Sequence, residues 1–128
     1  MREPQWLNTN VVLDIHEIQL AEHGGLDSVR DSGLLDSALQ APRQAWAYGE
    51  PQPDLCTLAA IYGVRLAKNH AFNDGNKRTA SVAVETFLLL NGLELTAADT
   101  DFYETVLSVA DGRTSEMDFA EWLRARAV

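Results

Sequence analysis

The chain has 128 residues, of which 46% are apolar and 23% charged, with a formal net charge of −9. That length predicts one domain over residues 1–128 with a substantial core, and that charge argues against nucleic acid, whose phosphates require many cations. The single cysteine excludes an internal disulfide, the apolar run Phe87 to Leu90 is too short to cross a bilayer, and the N-terminal MREPQWLNTN is no signal peptide, so the cytoplasm is the expected compartment.

Apolar spacing predicts an almost entirely helical protein. Residues from about 9 to 23 carry Val11, Val12, Ile15 and Ile18 at helical spacing, stopped by Gly24-Gly25. A second helix begins after Asp31 or Ser32, runs through Leu34, Leu35, Ala38 and Leu39, and is expected to end before Pro42. Residues 46–53, with Gly49, Pro51 and Pro53, read as a loop or short hairpin. Asp54 is placed to cap a third helix reaching about Asn69, and a fourth runs from about Gly75 to Leu90 before Asn91-Gly92. Two more follow, near 98–111 and 115–127, the last opened by Ser115-x-x-Asp118. Only 46–53 and Leu93 to Thr96 could hold strand. Helices three and four are apolar over more than one face, so both belong to the core. Cys56, between Leu55 and Leu58, is expected to be a buried, inert thiol.

Charge is distributed unevenly. Arg65, Lys68, Lys77 and Arg78 fall within fourteen positions whose single acid is Asp74, whereas Glu94 to Glu121 carries eight carboxylates. A small positive pocket in an acidic body suits a nucleotide. The pocket would lie at residues 70–79, HAFNDGNKRT, between helices three and four. A fourth helix starting near Gly75 turns its unpaired N–H groups and positive dipole end toward this loop, which makes an anion site. Lys77 and Arg78 are misplaced at a helix N-terminus unless an anion joins them.

HAFNDGNKRT resembles the signature of the Fic/Doc (Fido) family, H-x-F-x-[DE]-[GA]-N-x-R. Within that family it is similar to the death-on-curing (Doc) toxins, which carry N-K-R where the Fic adenylyltransferases carry N-G-R. Weaker resemblance extends through His23-Gly24-Gly25, Arg30 to Leu35, residues 41–45 and Leu90-Asn91-Gly92. The resemblance implies an all-α, compact bundle of about six helices with a short flap loop or hairpin.

Individual residues admit two readings. An imidazole at His70 can serve as a general base or cap the third helix, and the matching family residue is the catalytic histidine. Asp74 can hold Mg²⁺ or cap the fourth helix. Gly75, Asn76, Lys77 and Arg78 are candidates for binding the phosphates of ATP, with Asn76 equally suited to fixing the loop. Phe72 and Thr79 are read as structural. Trp46 and Tyr48 lie where the family carries its flap, or are ordinary surface aromatics. A Walker A loop is excluded, because Asn76 precedes Lys77, position 71 is Ala and the preceding segment is helical.

The resemblance further implies a protein kinase of a type II toxin–antitoxin system, transferring the γ-phosphoryl group of ATP to a threonine of elongation factor Tu. The alternatives are Fic-type adenylylation, or a non-catalytic nucleotide-binding domain. Position 81, where Fic adenylyltransferases place a second arginine, is serine here. The inhibitory pattern [ST]-x-x-x-E-[GN] is missing, since Ser81 and Glu85 are followed by Thr86. A Phd-like antitoxin acting in trans is therefore expected.

Overall fold

The computed structural model describes residues 2–26 and 29–128. Six helices follow in order: α1 Thr9–His23, α2 Ser32–Tyr48, α3 Leu55–Lys68, α4 Asn76–Leu90, α5 Asp99–Ala110 and α6 Glu116–Arg124. Among the described residues there is no sheet. Two isolated antiparallel bridges, Val29 with Phe72 and Leu95 with Ala127, are the extended pairings among the described residues. The expected all-α bundle of about six helices is therefore what forms.

Local chemistry explains the starts. Asn8, Asp31, Asp54 and Ser115 each accept a backbone N–H of the following helix through the side chain. The expected caps at Asp54 and Ser115 are in place. Helix α4 differs: its cap is Gly75, left-handed at φ 81°, with no side-chain bond.

Packing is organised around α3 and α4. Helix α3 touches α2, α4, α5 and α6, and α4 touches α1, α3 and α5. Leu58, Tyr62, Leu66, Val84, Phe87 and Leu88 are essentially solvent-free. Gly63 marks a close approach of α3 to its neighbours, since a Cβ there would lie 2.7 Å from Phe119 and 2.9 Å from Val84. Cys56 is buried, and burial raises its thiol above the ordinary range, in line with the inert reading.

One boundary is corrected. Helix α2 does not stop before Pro42; it continues through it to Tyr48. Leu35, Ala38, Leu39 and Pro42 are buried, and Ala45 and Trp46 pack on the same core. Those positions follow one helical face, so tertiary burial outweighs the roughly 3 kcal/mol that an interior proline costs. The loop expected at 46–53 consequently shrinks to about 49–53, and no hairpin forms there. Trp46 meets Trp6 edge-on at 6.2 Å, while Tyr48, at the helix end, is 84% exposed.

Candidate functional site

The motif occupies the α3–α4 junction, as the pattern of residues 70–79 suggests. After Asn69 caps α3, His70 takes φ 54°, one of the few non-glycine left-handed residues that a short loop tolerates. This turn leaves the imidazole exposed. The backbone around it is tied to the segment entering α2: Arg30 Nε donates to the His70 carbonyl at 2.7 Å. Arg30 and Asp31 N–H both donate to the Ala71 carbonyl, at 2.8 and 3.0 Å. Arg30 is one of the upstream positions carrying the weaker family resemblance, and its bonds give that resemblance a structural reason.

Asn76 closes the loop. Its Nδ2 donates to the Phe72 carbonyl at 2.9 Å and its Oδ1 accepts the Phe72 N–H at 3.1 Å. Both ends of the amide are engaged, so the side chain fixes the loop and only the Asn76 backbone N–H is presented at the helix start. Phe72 is buried, as read from the sequence, and its ring stacks on His16 at 3.7 Å between centroids. Thr79 is also wholly buried, and its hydroxyl has no partner among the described residues.

Asp74 is not the cap of α4, a role taken by Gly75. Its Oδ2 accepts the Leu26 N–H at 2.9 Å. Its carbonyl is bonded to His16 Nε2 at 2.8 Å. A carbonyl only accepts, so Nε2 carries the proton and His16 is the donor. The first helical bond of α4 runs from Thr79 N–H to the Gly75 carbonyl. The N–H groups of Asn76, Lys77 and Arg78 therefore precede the helical ladder with no side-chain cap.

These groups border one cleft of about 330 Å³. The run from Asn73 to Arg78 lines it, together with His70, His23, Gly24 and Gly25. Arg78 extends over the Tyr103 ring of α5 at 4.7 Å, a contact favourable for a guanidinium. His70, Asp74, Gly75, Asn76, Lys77 and Arg78 thus line the same cleft. Trp46 and Tyr48 are not among its lining residues.

Sequence reading missed three contributors, His16 and Gln19 of α1 and Tyr103 of α5. Gly25, in the turn after α1, entered only through the upstream resemblance. Gly25 has φ 126°, and a Cβ there would sit 2.9 Å from the Asp74 Cβ. Only the His23-Gly24-Gly25 resemblance pointed toward this wall. Nothing local distinguishes His16 from any other polar position in an amphipathic helix.

No group of three His, Cys, Asp or Glu side chains converges among the described residues. A lone carboxylate, oriented by a backbone N–H and beside two cations, fits a magnesium ion that keeps waters and phosphate oxygens as most of its ligands.

An all-α protein that presents H-x-F-x-D-G-N-x-R across the junction of its two central helices has the architecture of Fic-type proteins. The sequence pattern of the Fic/DOC family matches residues 6–88, and the chain belongs to that family. It is similar to a protein named Toxin Doc from Mycolicibacterium smegmatis, 45% identical over 97 residues covering 74% of each chain. It is also similar to one named Protein kinase doc from Escherichia phage P1, 30% identical over 113 residues covering 88% of each.

Proposed function

We propose that this protein is a Doc-like toxin that acts in the cytoplasm as an ATP-dependent protein kinase. The observation that carries the reading is the shared cleft: His70, Asp74, Lys77, Arg78 and the uncapped start of α4 all border it. The similarity to proteins named Toxin Doc and Protein kinase doc supports the biological role.

In this reading the backbone N–H groups of residues 76–78, with Lys77 and Arg78, grip the terminal phosphates. Asp74 holds Mg²⁺, which when bound neutralises phosphate charge. His70 takes the proton from a hydroxyl as that oxygen bonds to the γ-phosphorus, and ADP leaves. Little covalent chemistry is asked of the protein, so catalysis rests on position and charge. Ser81, in place of the second arginine of Fic adenylyltransferases, and Lys77, in place of their glycine, favour phosphoryl over adenylyl transfer. The target follows from the resemblance: a threonine of elongation factor Tu. Restraint would come in trans from a Phd-like antitoxin.

Incubation with elongation factor Tu and ATP labelled at the γ or the α position tests the chemistry. Label is expected from γ only; transfer from α alone makes the protein an adenylyltransferase instead. Expression without a partner should arrest growth, and His70→Ala should relieve the arrest.

A further inference from the structure

His70 is exposed and left-handed at φ 54°, a conformation that a residue with a Cβ keeps only where its surroundings hold it. A side chain in solvent takes its direction largely from its own backbone, so whatever fixes that backbone also fixes where the imidazole reaches. Two sets of bonds hold the loop. On the α4 side, Asn76 ties down Phe72, while His16 and the Leu26 N–H tie down Asp74. On the α2 side, Val29 bridges Phe72, and the Arg30 and Asp31 N–H groups donate to the Ala71 carbonyl. Those last bonds are made by backbone and survive a change of side chain. The Arg30 side chain adds one contact more, and it falls on His70 itself. Its Nε donates to the His70 carbonyl at 2.7 Å, the short distance of a charge-assisted bond.

That bond orients the peptide leaving His70. A turn of His70 toward ordinary negative φ would carry its carbonyl away from Arg30 and swing the imidazole with it. We infer that Arg30 is a positioning residue, whose Nε–H locks His70 in the left-handed conformation and so keeps the imidazole aimed into the cleft that it lines. Arg30 itself is not among the residues lining that cleft, so it acts through His70 and not on a bound phosphate. The inference rests on the reading of His70 as the base and adds the group that holds it in place. The phosphate-binding half of the loop has its own bonds, so loss of the Arg30 donor should disturb proton transfer and leave nucleotide affinity alone.

Two variants separate the donor from the charge. In Arg30→Gln the amide nitrogen stands as many bonds from Cα as Arg Nε does, so the N–H is kept and the charge is lost. Arg30→Met has the same reach and no donor. Steady-state transfer from γ-labelled ATP to elongation factor Tu should show kcat about tenfold lower in Arg30→Met, with KM for ATP within about twofold. Arg30→Gln should recover most of that loss. A second readout needs no activity. The chain has three histidines, and the imidazole signals of the free protein can be followed by NMR, with His70→Ala assigning that of His70. The His70 signal should shift or split in Arg30→Met and stay near its wild-type place in Arg30→Gln, while that of His16 stays put in both. A His70 signal unmoved in Arg30→Met overturns the inference whatever the kinetics. So does equal loss of kcat in both variants, a loss carried by KM, or an unchanged kcat. Wild type that transfers no phosphoryl group, with the His70 signal still following the variants as expected, removes the kinase reading and leaves the hold of Arg30 on His70 supported.

Discussion

His16 is the residue whose role is clearest from geometry and least visible in sequence. It is buried, stacks on Phe72 and donates to the Asp74 carbonyl, so it holds the peptide that leads into Gly75 and the start of α4. Ring and donor can be separated. His16→Phe keeps a stacking ring and loses the N–H; His16→Gln keeps an N–H and loses the ring. If the peptide's orientation matters, His16→Phe should reduce the proposed phosphoryl transfer by about tenfold or more with little change in melting temperature. Partial recovery of activity is expected in His16→Gln, and equal activity in both variants would assign His16 to packing alone. Thr79 offers the opposite case. Its hydroxyl is buried without a partner among the described residues, and such a group costs about 1–3 kcal/mol. Thr79→Val should therefore raise stability by about 1 kcal/mol in urea unfolding; a loss of that size would reveal a partner for the hydroxyl.

At the scale of elements, the contact of α3 with α4 and α6 sets the core. Gly63 permits it, and Gly63→Ala should cost about 1–3 kcal/mol through overpacking, read as a lower urea midpoint with an unchanged slope. The start of α3 is tied to the end of α6. Asp54 caps α3 through Thr57 N–H at 2.8 Å and also accepts Arg124 Nε at 2.8 Å. The Arg124 bond, ahead of the other contributions, lowers the Asp54 carboxyl from 3.8 to about 2. A depressed folded value stabilises the protein above the unfolded value, and that contribution disappears as pH falls through the folded one. Stability from this pair is thus complete above about pH 4 and lost toward pH 2. With both side chains substantially exposed, the contribution is about 1 kcal/mol. Asp54→Asn should flatten that part of the acid profile, and an unchanged profile would show that the pair is inert.

At the scale of the molecule, an acidic chain keeps a small cationic cleft at the meeting of α1, α4, α5 and the loop before α4. Binding there must couple to folding, because a ligand that favours the native state stabilises it by mass action. Mg²⁺ with ATP at one hundred times its Kd should add about 2.7 kcal/mol, visible as a rise in melting temperature. Chelating Mg²⁺ should shrink the rise, and Arg78→Ala should remove most of it. A melting temperature indifferent to ATP would contradict the nucleotide reading.

The sequence alone determined what depends on nearest neighbours along the chain. Helical periodicity, the caps at Asp54 and Ser115, the stop at Gly24-Gly25 and the polar junction at residues 70–79 are local physics, and each is found where the spacing puts it. The same local rules misjudged Pro42, because they count its missing N–H but not the apolar face that α2 continues to bury beyond it. Tertiary structure alone decided which distant groups complete the cleft. His16 and Gly25 approach Asp74 from about fifty residues upstream, and Tyr103 reaches Arg78 from α5. No local pattern encodes such meetings, since they arise only when α1 and α5 pack on α4.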